Sequence, residues 1–328
     1  MILILAQNYE LNVNNVCQIL DHYRAKWFRL NGEDVPLRTR VHLECSGDGY
    51  SGALTAENGE PIPQAAIRAV WSRRHGQAEL GDALSEGQKE FIRKECGYTL
   101  LGFYSLLNHA AWMNDYFAEQ KAVNKLYQLA TARSCGLRIP ETLVTQDPAA
   151  ARDFYDRHSG AVLTKAISQA GHVPKDETRR RGQQIYANII GPDALMDMER
   201  VRHAPTLLQR YVDKDYELRV TVIGNTVFAA AIESQRSERT KVDWRRYDTK
   251  NTPYYPYRLP EEMERRLLAL MRSLGLEYGA IDLIRTTSGE YVFLEVNPGG
   301  QWGWVEGLTG HPINEAMARW LMTRSGQA

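Results

Sequence analysis

The sequence predicts a mixed α/β (α+β) chain made of three successive units, and three features carry that expectation. An apolar run, Ile2–Ala6, is followed by a helical period over Leu11–His22 and a strand near Trp27–Leu30, the alternation of an α/β unit. Further on, two β-rich runs, Tyr216–Ile223 and Thr226–Ser234, are separated by the tight-turn pair Gly224-Asn225. Near the end, an amphipathic helix over Glu261–Leu274, closed by Gly275, leads into strands at Tyr278–Ile284 and Tyr291–Val296. A chain of 328 residues has room for two or three subdomains.

Taken in order, the first unit (residues 1–115) continues with Val41–Cys45 and Ser51–Leu54, a hairpin around Ser46-Gly47-Asp48-Gly49. A short strand at Ile67–Trp71 and a long helical region over Leu84–His109 complete it. In the second unit (116–205), a helix over Glu119–Cys135 ends at Gly136, and a strand follows at Glu141–Thr145. Asp147-Pro148 opens another helix, with Asp as N-cap and Pro at the first position, before a strand at Ala161–Lys165. The basic run Lys175–Arg181 reads as a solvated loop. The third unit (206–328) begins with a strand at Thr206–Val212, turns between its last two strands at Ser288-Gly289, and ends in a helix over Pro312–Met322.

Composition narrows the function classes. Apolar residues make up 43% and charged residues 24%, ordinary values for a globular protein, with a mean hydropathy of −0.45. Formal net charge is zero, so there is no general pull toward nucleic acid or membrane, and any anion site must be local. The run Met1–Ala6 is too short to span a bilayer and lacks a basic flank. Cys17, Cys45, Cys96 and Cys135 are scattered, without C-x-x-C spacing, which argues against zinc and disulfides and fits a cytoplasmic location.

The chemistry concentrates between Gly279 and Glu306. Asp282 lies between Ile281 and Leu283, and Glu295 between Leu294 and Val296, so two apolar strands each carry a carboxylate. Unpaired buried carboxylates are costly. An antiparallel pairing brings the two acids to one face, where Asn297, two residues beyond Glu295, joins them. Such an oxygen set suits Mg²⁺, which takes a few protein oxygens and completes its shell with phosphate and water. The competing reading pairs each carboxylate with an arginine inside the sheet.

The pattern Asp282…Glu295-Val-Asn297-Pro-Gly-Gly300 resembles the signature of the ATP-grasp superfamily, an ATP-grasp fold preceded here by an N-terminal pre-ATP-grasp α/β domain. The resemblance implies ATP and Mg²⁺ as cofactors, with Asp282, Glu295 and Asn297 as metal ligands. Lys125 and Lys165 resemble the two lysines that contact the nucleotide phosphates. Gln209, Arg210, Tyr211 and Val212 fall where the family has a hinge strand whose backbone pairs with adenine. Glu217 matches the residue that holds the ribose hydroxyls, with Asp213 as an alternative, and Arg219 then points toward the phosphates or the acyl phosphate. Asp243-Trp244-Arg245 resembles the ribosomal-protein glutamate ligase branch, in which such an arginine faces the transferred phosphate, while Arg246 reads as a surface residue. A planar guanidinium suits the charge spread over phosphoryl oxygens. The loop after Lys165 departs from the glycine-rich family pattern, with Gly171 its single glycine, so that either the lid uses Ser168 and Gly171 or it is ordered only when substrate binds.

Across nearly its whole length the chain resembles the graspetide (microviridin-type) peptide-maturing ligases. The resemblance rests on Arg29–Asp34, Trp71-Ser-Arg73-Arg74, Trp112–Asp115, Pro140–Thr145 and above all Pro298-Gly-Gly-Gln301-Trp302-Gly-Trp304-Val-Glu306 with Thr309-Gly310. It implies phosphorylation of Asp or Glu side chains of a ribosomally made precursor peptide and closure by a Ser, Thr or Lys of the same peptide. It also implies a homodimer and a dock for the peptide's leader around Asp193–Glu199, with Asp197 and Glu199 reading a basic leader residue; the alternative for that stretch is an ordinary surface helix. No Ser–His or Cys–His pattern marks a covalent nucleophile, and no residue declares itself a base for the incoming hydroxyl. Two other functions share these residues in part: an ATP-grasp ligase that adds an amino acid to a protein tail or small carboxylate, and a nucleotide-sensing module without turnover.

Overall fold

The computed structural model describes the chain except Asn58, His75 and residues 169–185; the expected lid residue Gly171 and the basic run Lys175–Arg181 therefore lie outside the described residues. Strand β1 (Ile2–Ala6) is buried throughout and is followed by α1 (Leu11–His22) and β2 (Trp27–Asn31). Strands β3 (Arg40–Ser46), β4 (Gly49–Thr55) and β5 (Pro61–Pro63) form a separate antiparallel sheet. Then come β6 (Ala69–Ser72), α2 (Glu86–Ser105) and β7 (Ala111–Met113). The parallel order β2-β1-β6-β7 explains why β1 reads as one apolar run, since a parallel sheet is covered on both faces. Leu3, Leu5 and Val70 meet Phe103 and Leu107 of the α2 region on one face. Ile2, Ile4 and Trp71 meet α1 and the chain's last helix on the other.

The helix expected over Glu119–Cys135 is two helices, α3 (Tyr116–Ala122) and α4 (Lys125–Ser134). Asn124 causes the break: its backbone is extended and its side chain accepts a hydrogen bond from the Tyr127 N–H at 3.0 Å, capping α4. After β8 (Thr142–Thr145), α5 (Pro148–Arg157) starts at Asp147 and Pro148 as expected. Strands β9 (Val162–Lys165) and β10 (Asn188–Ile189), helix α6 (Pro192–Met196) and β11 (Thr206–Arg210) follow. The central sheet is antiparallel, in the order β10-β9-β11-β8. Strand β11 ends at Arg210, so Tyr211 and Val212 lie just past it.

The third sheet runs β14-β13-β12-β15-β16. It contains β12 (Lys214–Ile223), β13 (Thr226–Ile232) and β14 (Tyr254–Tyr257), then β15 (Tyr278–Thr286) and β16 (Tyr291–Asn297) after helix α7 (Glu261–Leu274). Helix α7 buries Met263, Leu267, Leu270, Met271 and Leu274 against this sheet, and Gly275, left-handed at φ 71°, closes it. Helices α8 (Gly303–Thr309) and α9 (Ile313–Ser325) end the chain. Helix α9 packs on α1 and β6, which ties the last unit back to the first. Among the described residues no helix is long and apolar enough to cross a membrane.

Candidate active site

One face of the third sheet collects the acids. Asp282 pairs with Glu295 across β15 and β16, but the next pair is Leu283 with Phe293, so Leu294 is the extra residue of a bulge. On the other side Arg219 of β12 stands opposite Asp282 and donates to both carboxylate oxygens, at 3.0 and 3.1 Å, while its other amino group reaches Gln301 O at 3.2 Å. The amide nitrogen of Asn297 lies 3.4 Å from Asp282 Oδ2 and 3.3 Å from Glu295 Oε1. The three expected metal ligands are thus gathered. The arginine pairing that competed with the metal reading is present for Asp282; Glu295 is met instead by Lys125, at 3.2 Å.

These charges set one another. Burial alone would raise the Glu295 carboxyl, yet Lys125, Lys165 and Arg245 outweigh it and bring it down to about 2. Asp282 is pushed the other way, by burial and by the neighbouring Glu295, against the pull of Arg219. Lys125 sits at the first position of α4, where a cation opposes the helix dipole, so an anion is required in front of it. Lys165 closes β9, and burial lowers its affinity for a proton despite Glu295. Arg245 is fixed by two bonds to Asp243, at 2.8 and 2.6 Å. Asp243 also accepts from the Ala187 N–H at 2.9 Å, joining the central and third sheets. Arg246, expected at the surface, is half-buried and donates to Asn188 Oδ1 at 2.7 Å.

A single cavity brings most of the expected nucleotide residues together. Lys165, Gln209, Arg210, Tyr211, Val212, Glu217, Arg245, Asp282 and Glu295 line it, with Leu163, Ile284 and Leu294 as an apolar wall. The Arg210 and Tyr211 N–H groups donate to Glu141 O and Ala161 O, so contacts from these two residues to a base fall to their carbonyls and side chains. Glu217 pairs with Lys214, and burial, only partly offset by that lysine, raises its carboxyl to about 7. Its Oε2 is buried with no hydrogen-bond partner, an acceptor aimed at a missing donor. A magnesium nucleotide fits this set: oxygen donors, flanking cations, an apolar wall and an orphaned acceptor. Among the described residues no three His, Cys, Asp or Glu side chains cluster, so a metal at this site would have two carboxylates and one amide to hold it.

Sequence reasoning missed Lys214, and the reason is geometric. Residues three apart in a regular strand face opposite sides, but a register shift between Lys214 and Tyr216 returns the lysine to the face of Glu217. The leader-dock residues lie elsewhere, on the surface after α6. There Asp197 meets Arg200 at 3.4 Å and Glu199 meets Arg202 at 2.9 Å, so both are already partnered locally. The motif residues outside the cavity have structural work. Arg73 donates to Gly299 O and Gly300 O at 2.6 and 3.0 Å and lies 4.9 Å from the centre of the Trp302 ring. Asn114 bonds the Tyr278 backbone in both directions and Pro298 O, so the first unit grips the loop that carries Asn297. Trp302 is fully buried, and Trp304 packs against Trp244 with ring centres 4.9 Å apart and planes tilted by 43°.

Residues 1–120 match the MvdD pre-ATP grasp domain, and residues 122–321 match the RimK-like ATP-grasp domain. The chain belongs to the RimK-like ATP-grasp family. Its fold is accordingly an ATP-grasp fold with an N-terminal pre-ATP-grasp domain. Among solved structures it is similar to the macrocyclase MdnC of Microcystis aeruginosa MRC bound with precursor peptide MdnA. The identity is 28%, the TM-score 0.84, and 98% of this chain and 100% of that one are covered. The RiPP-associated ATP-grasp ligase of Chryseobacterium gregarium, in complex with ADP and a leader and core peptide, gives 26% identity and a TM-score of 0.88, covering 98% and 96%. The macrocyclase MdnB of M. aeruginosa MRC gives 30% identity and a TM-score of 0.76, covering 98% of each chain. No curated protein matches the sequence.

Proposed function

We propose that this ATP-grasp enzyme activates Asp or Glu side chains of a ribosomally made precursor peptide and closes ω-ester or ω-amide rings within that peptide. The observation that carries the reading is one cavity lined by Asp282, Glu295, Lys165 and Arg245, with Asn297 against both acids and Lys125 paired to Glu295, in a chain similar over its whole length to peptide macrocyclases. ATP with Mg²⁺ supplies the phosphoryl group that turns a side-chain carboxylate into an acyl phosphate. Asp282, Glu295 and Asn297 would hold the metal, the asparagine through its carbonyl oxygen. Lys125 and Lys165 neutralise phosphate charge, and Arg245, pre-oriented by Asp243, faces the transferred group. Arg219 acts by holding Asp282 and the Gln301 carbonyl in place and by adding positive charge behind the site. Gln209, Arg210, Tyr211 and Val212 frame the base, and the orphaned Glu217 oxygen takes a ribose hydroxyl.

The unit boundaries 1–115, 116–205 and 206–328 belong to the same reading, as does a leader dock at Asp197 and Glu199, whose arginine partners a basic leader residue would displace. We also place the chain in the cytoplasm as a homodimer. Four free cysteines fit a reducing compartment, and exposed Phe91 and Tyr98 on α2 offer an apolar face to a second copy. The test is mass spectrometry of candidate precursors, short peptides encoded beside the gene with Ser, Thr or Lys and Asp or Glu clusters, after incubation with enzyme, ATP and Mg²⁺. Ring formation removes the mass of one water per ring. A mass gain equal to an added amino acid points instead to ligation of an external amine.

A further inference from the structure

Ring closure needs a base, and the nucleotide cavity does not offer one. Lys165 and Arg245 are taken up by phosphate in the reading above, Asp282 and Glu295 are paired with Arg219 and Lys125, and Glu217 is held by Lys214 with its free oxygen given to the ribose. Lys165, however, lines a second groove as well as the nucleotide cavity. Asn124, Thr164, Ser168, Asn188 and Glu119 line that groove too, and Glu119 is its only carboxylate among the described residues. A nucleotide in the first cavity and a peptide in the second would meet at Lys165.

Glu119 projects from α3 and is half-buried. Its Oε1 lies 3.7 Å from the point that a Cβ on Gly299 would occupy, so the carboxylate stands against the loop that follows Asn297. The Ser72 hydroxyl hydrogen-bonds to it, yet among the described residues no Lys, Arg or His forms an ion pair with it. A carboxylate drawn this far from water with no ion-pair partner is costly, and the Ser72 hydrogen bond that ties it to β6 offsets that cost only in part. Burial raises its carboxyl to about 7, against the pull of Ser72 and Arg73, and a group poised near neutrality is suited to accept a proton.

Resting on the ligase reading above, we propose that Glu119 is the general base for ring closure, taking the proton of the attacking hydroxyl or amine in the groove beside Lys165. In that step the nucleophile's oxygen or nitrogen bonds to the acyl carbon. The bond from that carbon to the phosphate oxygen breaks, inorganic phosphate leaves, and the nucleophile's proton passes to Glu119. No external oxidant or reductant is involved.

The experiment separates activation from closure. Wild type, Glu119→Gln and Glu119→Asp are incubated with ATP, Mg²⁺ and a precursor peptide whose core carries Thr and Asp, with and without hydroxylamine, a nucleophile strong enough to attack an acyl phosphate without a base. Glu119→Gln is expected to form side-chain hydroxamate at the wild-type rate while ring closure slows about 100-fold or more, with Glu119→Asp in between. Equal loss of hydroxamate and ring in Glu119→Gln overturns the assignment by making the residue structural, and closure at the wild-type rate overturns it by making the residue idle. Failure of the ligase reading itself looks different, because wild type then gives neither hydroxamate nor ring, and the base assignment falls with it.

Discussion

In the third sheet, β12 and β15 run ten and nine residues with most of their side chains buried, whereas the strands of the central sheet are two to five residues long and largely half-exposed. The long sheet carries Glu217, Arg219, Asp282, Glu295 and Asn297 in one register, so its charged groups are part of its packing. The short sheet contributes Lys165 at a strand end and the hinge residues in and just past the end of β11, and the segments flanking the two sheets meet through Ala187 and Asp243. The difference teaches where stability and chemistry are separable. In the long sheet Asp282, a proposed ligand, is also half of a structural ion pair; in the short sheet Lys165, the cation proposed to face phosphate, is held at a cost to the fold.

Substitutions can break that contrast. The largest effect is expected from Asp282→Asn and Glu295→Gln, each lowering ATP turnover by about 1,000-fold or more, because the metal loses a ligand. Asp282→Asn also leaves Arg219 buried beside a neutral amide, so denaturant melts should show a loss of about 3 kcal/mol. Lys165→Met should cut turnover by about 100-fold while the melting temperature holds or rises, since a desolvated cation is removed. A drop in melting temperature as large as that of Asp282→Asn would contradict the contrast. Asn124→Ala removes the cap that aims Lys125 and should cost about 1 kcal/mol in stability, with a several-fold rise in KM for ATP in steady-state assays. Smallest is the paired change Asp197→Asn and Glu199→Gln, on the exposed segment after α6. It should raise KM for the peptide several-fold and leave both the KM for ATP and the melt unchanged, because exposed ion pairs contribute little.

The same contrast explains what was legible in the sequence. Asp282 and Glu295 stand out because each interrupts an apolar strand, and Asn297 follows Glu295 at the strand's two-residue period. The buried first strand is legible from the solid apolar run Ile2–Ala6. Lys214 is hidden because a bulge reverses the face that alternation assigns to it. The break at Asn124 is hidden because the stretch on either side keeps a helical pattern, and only its cap geometry reveals it. Strand β10, two residues long, has no period to read, and β14 spans only Tyr254–Tyr257. Glu119 looks like any helix surface carboxylate until the fold brings Ser72 and Gly299 beside it.

The central claim, that this site converts a peptide carboxylate into an acyl phosphate, is tested most directly by oxygen tracing. A precursor whose Asp and Glu side chains carry heavy oxygen is incubated with the enzyme, ATP and Mg²⁺, and the released inorganic phosphate is analysed by mass spectrometry. The account predicts one labelled oxygen in phosphate for each ring closed, with the other label kept in the new carbonyl. Unlabelled phosphate alongside ring formation would contradict it.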